Sequence, residues 1–237
     1  MMKVYSKYVK KAMFCFLSVL VLLFSACKKN YYVDGGLANP NFNGNMLQYL
    51  QSKPFYFDTV ATVIKLAGLE KNFQEDDMTF FAPTDHSIAR VIILTNQLLY
   101  QNGKDTIKTL SDVSPNIWRK YLMRYMFHGS NKLNDYPQLD FKLPALYPGQ
   151  DYYSYNNAIL NIGVVYNDIN GIKYGGYRQL WISYISNLNT PLTISSWLSY
   201  PISSSDIKPI NGVVHTLNDY TNFGFNTDFI IDAYTTR

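Results

Sequence analysis

The histidines and cysteines are the residues of this 237-residue chain best suited to act as nucleophiles, bases or metal ligands. His215 lies in the segment NGVVHTLND, residues 211–219, and alternates there with Val213 and Leu217. Because alternate residues of a strand share a face, His215 would lie beside these two apolar side chains. A buried histidine normally hydrogen-bonds to backbone or polar neighbours. The pattern therefore predicts a structural role for His215.

Motifs for catalysis and metal binding are missing from the sequence. It contains no G-x-S-x-G, no H-E-x-x-H and no P-loop. The 3 histidines and 2 cysteines lack the spacing of a zinc site. We therefore predict that the protein is not an enzyme and that it uses no cofactor and no metal.

The first 26 residues are typical of an export signal. Four lysines and no acidic residue precede a mostly apolar run from Ala12 to Ala26, which is shorter than the roughly 20 residues of a membrane span. Ser25, Ala26 and Cys27 resemble the lipobox of bacterial lipoproteins, in which the cysteine is lipidated and becomes the first mature residue. We therefore predict a signal peptide over 1–26 and a membrane anchor through a lipid on Cys27.

Charge and cysteine content limit the classes of partner. The 21 basic residues include the four lysines of the leader, so the mature chain would have 17 basic residues against 17 acidic ones. This balance predicts no nucleic-acid partner. Cys15 lies in the leader, so Cys27 would be the only mature cysteine and no intrachain disulfide could form.

The remaining sequence predicts an α+β domain. Residues 27–44 are polar and rich in Asn and Gly, which predicts a tether, and 45–237 would form a single domain. Helical periodicity predicts four helices, in NMLQYLQS, in FDTVATVIKLAGLEKNF, after a cap at Thr84 or Asp85, and in SPNIWRKYLMRYMF. MTFFAP predicts a buried strand, and alternating aromatic runs after Leu139 predict a sheet. Asn-Gly at 211–212 between apolar runs predicts a hairpin.

Two segments carry a resemblance to a known family. TFFAPTDHSI at 79–88 resembles the first box of fasciclin-like (FAS1) domains, NGVVHTLND resembles the second, and FDTVATVIKLAGLEKNF stands where that family has its opening helix. The resemblance implies an α+β fold with early helices packed on a β-sandwich-like pair of sheets. The matching residues, which we expect to be structural, are Thr79, Phe80, Phe81, Ala82, Pro83, Thr84, Asp85, Asn211, Gly212, Val213, Val214 and His215.

Two further landmarks of the family match in part. Its Tyr-His pair corresponds either to Tyr125, with Met126 in the histidine position, or to His128, with Phe127 in the tyrosine position. An Asp-Ile pair, linked to cell adhesion in animal members, matches Asp206 and Ile207, although the flanking residues differ.

Residues 145–200 exceed the spacing usual in that family, which predicts a β-rich insertion. Trp181 and Trp197 lie in regular β-patterns and are expected in the core. YGGY at 174–177 suits a hairpin tip that holds both tyrosine rings out to solvent, and DYYSY at 151–155 also lies beside a turn, after Pro148-Gly149. Exposed tyrosines supply contact area and hydroxyl groups for binding. The candidate binding residues are Tyr152, Tyr153, Tyr155, Tyr174, Tyr177, Asp206 and Ile207.

The sequence as a whole predicts a non-catalytic lipoprotein of the cell envelope that acts in adhesion or protein–protein binding. Lys28, directly after Cys27, implies sorting to the outer membrane by analogy with lipoprotein families, and the style of the leader and tether resembles proteins of the Bacteroidota. The partner would be a protein of that membrane or of another cell. The alternative is a glycan- or nutrient-binding accessory of a TonB-dependent, SusCD-like importer.

Overall fold

A computed structural model describes residues 39–187, 189 and 193–237. The predicted signal peptide, Cys27 and most of the predicted tether lie outside the described residues. One compact unit runs from Pro40 to Arg237. Residues 41–44, predicted as the end of the tether, belong to this unit, because the backbone N–H of Phe42 donates to the carbonyl of Lys208 at 2.9 Å.

The helices begin largely where sequence signals place them. The helix predicted over 114–127, however, ends at Leu122, because Met126–His128 pair as a strand in the sheet, and the C-terminal helix Asp228–Thr235 was not predicted. Asn45 and Gln48 form a capping box at the first helix, and Pro115 opens the fifth directly after its N-cap, Ser114. Gly68, with φ of +64°, follows the second helix and stops it. The helices are α1 (Met46–Gln51), α2 (Pro54–Leu66), α3 (Glu70–Glu75), α4 (Asp85–Gln101), α5 (Pro115–Leu122) and α6 (Asp228–Thr235).

Seven strands form one sheet in the order β2-β1-β7-β6-β5-β4-β3. The pairing of β1 with β7 is parallel, and the other pairings are antiparallel. Helices and a sheet in one unit confirm the predicted α+β class. The strands are β1 (Met78–Ala82), β2 (Met126–His128), β3 (Gln150–Tyr153), β4 (Ile159–Tyr166), β5 (Arg178–Tyr184), β6 (Leu198–Ile207) and β7 (Gly212–Leu217).

Strand β6 joins the two halves of the sheet, where the sequence predicted a pair of sheets. Its first residues, 198–201, pair with β5, and residues 202–207 pair with β7 through irregular register. Bulges of this kind bend a strand and increase its twist. The opposite edges also approach each other, since the N–H of Tyr155, just after β3, donates to the carbonyl of Met126 on β2 at 2.9 Å.

The predicted insertion, 145–200, is an integral part of the sheet. It supplies β3, β4, β5 and the first residues of β6. Leu160, Ile162 and Ile182 from this segment are fully buried in the main core, which they share with helices from the first half of the chain. Because the core depends on these side chains, the segment is more than a surface loop.

A second, smaller hydrophobic cluster lies outside the main core. Leu139, Ile185 and Trp197 are buried in it, and Trp181 packs against it half-buried. The loop that contains Leu139 extends the sheet edge, because the N–H of Leu139 donates to the carbonyl of Val164 on β4 at 2.9 Å. Both tryptophans predicted for the core thus belong to this second cluster.

The predicted hairpin at Asn211-Gly212 forms, but its loop is longer than two residues. β6 ends at Ile207 and β7 begins at Gly212. Gly212 has φ of +150°, and a Cβ there would lie 2.0 Å from the carbonyl oxygen of Met78 on β1. Glycine at this position therefore permits the close parallel pairing of β7 with β1.

Candidate functional site

His215 lies fully buried on β7, opposite Phe81 of β1. Its Nδ1 accepts a hydrogen bond from the backbone N–H of Asp206 at 3.2 Å, and its Nε2 lies 3.0 Å from the carbonyl oxygen of Asn131. A backbone N–H only donates and a carbonyl only accepts, so Nε2 carries the hydrogen. Both ring nitrogens are engaged by the fold, and neither is available to a substrate.

The environment of His215 also keeps its ring neutral. Burial lowers the pKa of His215 to about 4, against the opposing effects of the hydrogen bond to Asn131 and of the Asp206 carboxylate. That carboxylate lies 4.0 Å from Nδ1. A histidine with this pKa is a weak proton acceptor near neutral pH, unlike a general base, whose pKa lies near the working pH.

Other polar residues of the two FAS1-like segments also bind backbone groups. The hydroxyl of Thr79 donates to the loop 129–131 at 2.6 Å and accepts from it at 2.8 Å. Asp85 accepts from the N–H of Val60 on α2 at 3.0 Å. The amide of Asn211 accepts from α1 at 2.7 Å and donates to two carbonyls in and after α3, each at 3.1 Å. These side chains hold helices and loops to the β1–β7 pair.

The two candidates for the Tyr-His landmark lie in different surroundings. Tyr125 is fully buried, and its hydroxyl accepts from the N–H of Gly224 at 2.6 Å. Burial raises the pKa of Tyr125, although the bond from Gly224 opposes that shift. His128 is exposed and stacks on Tyr155 with ring centroids 4.2 Å apart. One alternative is thus a core residue and the other a surface residue.

Tyr152 and Tyr155, two of the predicted binding residues, are half-buried and pack against the main core. Tyr152 makes an edge-to-face contact with Tyr136 at 5.5 Å. Tyr155 donates its hydroxyl to the Asp76 carboxylate at 3.2 Å. Burial, together with the charge of Asp76, raises the pKa of Tyr155 to about 12. Each of these rings contributes to the packing of the domain.

Of the two tyrosines in YGGY, 174–177, one is half-buried and the other is exposed. Tyr174 has φ of +61° and is half-buried, and its hydroxyl donates to the Asp140 carboxylate at 2.8 Å. The prediction that both rings project into solvent is therefore wrong for Tyr174, because its hydrogen bond to Asp140, 34 residues away in another loop, keeps the ring half-buried. Tyr177 is 68% exposed and Tyr153 is 67% exposed. These two remain as accessible predicted tyrosines.

Asp206 and Ile207 lie at the end of β6 and take part in the fold. Asp206 has φ of +63°, and its carboxylate accepts from the N–H of Leu133 at 2.7 Å. Its own N–H donates to His215. Ile207 is half-buried against the main core. The side chain of Asp206 is 36% exposed, so part of this pair remains accessible.

A groove of about 600 Å³ lies between the start of α2, one face of α4 and the segment that follows β7. Its outer walls are large side chains that the fold leaves in solvent. Tyr56 is 49% exposed, Ile93 58% and Tyr220 78%. Leu94 completes the wall on α4. We call this feature the α2–α4 groove.

A cationic side chain of α4, Arg90, binds the segment after β7 that forms another wall of the α2–α4 groove. The guanidinium of Arg90 donates to the carbonyls of Asp219 and Tyr220 at 3.0 and 3.3 Å, and it lies 5.8 Å from the ring of Tyr220. No carboxylate among the described residues lies within ion-pair distance of Arg90. The groove therefore combines aromatic walls with the positive charge of Arg90 and the negative charge of Asp219, which are not ion-paired with each other.

The sequence analysis missed this groove, although α4 carries one signal of it. The face of α4 that enters the core consists of Ile88, Val91, Thr95 and Leu99. Ile93 and Leu94 lie off that face, so two large apolar residues remain on the solvent side of the helix. Apolar residues outside the buried stripe of a helix indicate a possible contact surface.

In residues 39–187, 189 and 193–237, no group of three His, Cys, Asp or Glu side chains could hold a metal ion. Within the same residues, each helix is too short or too polar to cross a membrane.

Comparison with known proteins yields a likeness of fold. No protein-family model and no curated protein matches the sequence. Among solved structures, the chain is similar to a FAS1 domain pair from the insect cell adhesion molecule fasciclin I, with a TM-score of 0.49 and 14% identity. The match covers 79% of this chain and 52% of that structure. The chain thus spans about half the length of the domain pair that it resembles.

Proposed function

We propose that this protein is a non-catalytic lipoprotein of the outer membrane that binds a protein partner through the α2–α4 groove. The observation that carries the proposal is the cluster of exposed aromatic and aliphatic side chains on the groove walls. Phe55, 79% exposed, adds to it, with its ring 5.0 Å from that of Tyr56. Single exposed apolar residues are ordinary, but a contiguous exposed group of them marks a site of protein interaction more often than the rest of a surface does.

The composition of the groove favours a protein as its occupant. Tyr and Arg are, together with Trp, the residue types enriched at the energetic centres of protein interfaces. Tyr56 and Tyr220 offer wide, rigid rings on opposite walls, and Arg90 adds a charge that is already oriented by two backbone carbonyls. A preoriented side chain loses little conformational entropy when a partner binds.

The placement in the envelope follows from the leader. Cys27 after Ser25-Ala26 supports lipidation, and Lys28 supports sorting to the outer membrane. Whether the partner belongs to the same membrane or to another cell decides between an envelope assembly and adhesion between cells.

A matched pair of double variants tests the groove. Immobilised protein is exposed to detergent-solubilised envelope, and the retained proteins are quantified. Tyr56→Ala with Tyr220→Ala should weaken retention of the partner, since each hot-spot residue contributes about 1 kcal/mol or more. Tyr153→Ala with Tyr177→Ala removes two comparably exposed tyrosines and should leave retention unchanged.

Each result of this comparison has a definite meaning. If the Tyr153 and Tyr177 variant loses the partner and the groove variant retains it, recognition lies in residues 145–200, as the sequence analysis predicted. If no protein is retained by the wild type above a blank surface, the proposal of a protein partner is wrong.

The second role predicted from the sequence, glycan or nutrient binding beside an importer, is favoured by a different observation. A pocket of about 400 Å³ lies beside Trp197, with Asp151 and Asn161 among the residues that line it. This pocket is separate from the α2–α4 groove, because the two share no lining residue.

A further inference from the structure

The pocket beside Trp197 is formed where the second hydrophobic cluster remains open. It lies between the segment 144–151, strand β4 and the turn at 194–197. Its volume of about 400 Å³ falls within the range of small-ligand sites, roughly 300–1,000 Å³. The cluster around Trp197 and Leu139 therefore leaves space for a small molecule at its margin.

One side of the pocket is apolar and includes an aromatic ring. The side chains on this side are Pro144, Ala145, Pro148, Ile194 and Trp197. Trp197 is only 9% exposed, so the packing of the cluster fixes its ring in place. The small exposed part of this ring adds apolar surface to the pocket wall, against which the C–H face of a ligand ring can pack.

The other side of the pocket presents hydrogen-bond acceptors. The side-chain amide of Asn161 donates to the Asp151 carboxylate at 2.8 Å and to the carbonyl of Pro148 at 3.1 Å. The oxygen of that amide is buried and accepts no hydrogen bond from the described residues. A buried acceptor without a donor costs free energy. Oδ1 of Asn161 and the carboxylate of the exposed Asp151 beside it are acceptors, to which the hydroxyl groups of a ligand would donate.

Gly149 keeps the neighbourhood of this amide oxygen clear of side-chain atoms. It has φ of +67°, and a Cβ at this position would lie 2.4 Å from Oδ1 of Asn161. Any other residue would therefore be strained and would collide with the amide. The backbone of Gly149 therefore packs directly against Asn161, and both residues line the pocket.

From this combination we infer that the pocket beside Trp197 binds the sugar ring of a glycan. A pyranose has an apolar C–H face that matches the wall formed by Trp197 and Ile194. Its hydroxyl groups match the acceptors on Asp151 and Asn161. The inference rests on the second role given above and is independent of the α2–α4 groove.

Calorimetric titration of the full-length protein, purified in detergent, tests the inference. The probes are glucose, galactose, mannose, N-acetylglucosamine, maltose and cellobiose. At least one should bind saturably, with a dissociation constant in the millimolar range or tighter. Asp151→Asn should weaken that binding at least ten-fold, and Ala145→Trp, which fills the pocket, should abolish it.

The controls separate loss of the site from loss of the fold. Asp168→Asn removes a carboxylate from a neighbouring loop outside the pocket and should leave binding unchanged. The melting temperature of each variant is compared with that of the wild type. If Ala145→Trp unfolds, Asp151→Asn decides the matter.

Three results would overturn the inference. They are the absence of saturable binding by every probe, an affinity that is equal in wild type, Asp151→Asn and a folded Ala145→Trp, and saturable binding of ethanolamine in place of the sugars. Retention of an envelope protein through Tyr56 and Tyr220 is measured separately, so failure of the pocket and failure of the groove are distinguishable.

Discussion

The buried, neutral ring of His215 predicts a stability that falls as the pH is lowered. The unfolded chain has a histidine pKa of about 6.5, whereas burial lowers the pKa of folded His215 to about 4. Between these values the unfolded state binds a proton that the folded state does not. The free energy of unfolding therefore contains a contribution that is fully present above pH 6.5 and is lost as the pH falls toward 4.

The size of this contribution follows from the difference between the two pKa values. A pKa difference of one unit corresponds to about 1.4 kcal/mol, so the full effect is about 3 kcal/mol. Between pH 7 and pH 5 the same expression gives a loss of roughly 2 kcal/mol. In that interval ordinary Asp and Glu side chains remain ionised, which leaves the histidines as the titrating side chains.

Urea denaturation of a chain that begins at Lys28, followed by tryptophan fluorescence at pH 7, 6 and 5, measures this slope. His215→Gln retains a donor and an acceptor but does not titrate, so its stability should depend less steeply on pH. His86→Gln is the matched control, because His86 is exposed at the start of α4. It should retain the slope of the wild type.

Two results would refute the reasoning about His215. If wild type and His215→Gln lose stability in parallel, His215 does not titrate differently in the folded and unfolded states. If the wild type gains stability relative to the variant as the pH falls, the Asp206 carboxylate 4.0 Å away outweighs burial, and the ring is protonated in the folded protein.

Two further variants test the C-terminal packing and the membrane anchor. Arg124, whose side chain is 6% exposed, lies 4.5 and 4.8 Å from two tyrosine rings and donates to the carbonyl of Gly224 at 2.8 Å. Arg124→Met should lower the free energy of unfolding by about 2 kcal/mol or more, measured by urea denaturation, because buried acceptors lose their donor; an unchanged midpoint would contradict this. Cys27→Ala should give an unprocessed or soluble form on cell fractionation, and a variant processed after Ala26 that still sediments with membranes would disprove lipidation.

Four of the helices and the first strand could be predicted because their signals are local. The apolar spacing of α2, the Ser114-Pro115 start of α5 and the apolar run of β1 each fall within a few residues. The burial of His215 followed from alternation along β7. In each case the sequence pattern that indicates the structure lies within one element, although the partners that complete it, such as Asn131 for His215, can lie elsewhere.

The environments of the tyrosines could not be predicted because their partners lie far along the chain. Tyr174 donates to Asp140, and Tyr155 donates to Asp76. The first pair is 34 residues apart and the second is 79 residues apart. Local composition marked both tyrosines as exposed turn residues, whereas contacts made only in the folded sheet half-bury them.

The α2–α4 groove escaped prediction for a related reason. Its walls come from Tyr56, from α4 and from Tyr220, which no sequence window contains together. Only the two apolar residues on the outer face of α4 gave a local indication. A site assembled from separated elements requires the topology of the fold before its members can be recognised.

The polar residues that carry the FAS1 resemblance already form hydrogen bonds within the fold, which limits the part they can take in recognition. β1 and β7 are adjacent parallel strands, so the two similar segments lie side by side. The polar side chains of Thr79, Asp85, Asn211 and His215 bind backbone groups of the same chain. Because these groups are already satisfied, they have little capacity left for a partner. The two segments also line the α2–α4 groove, through Thr84, His86 and residues 216–219. The proposed recognition would therefore use the exposed side chains that form the walls of this groove and the polar side of the pocket beside Trp197.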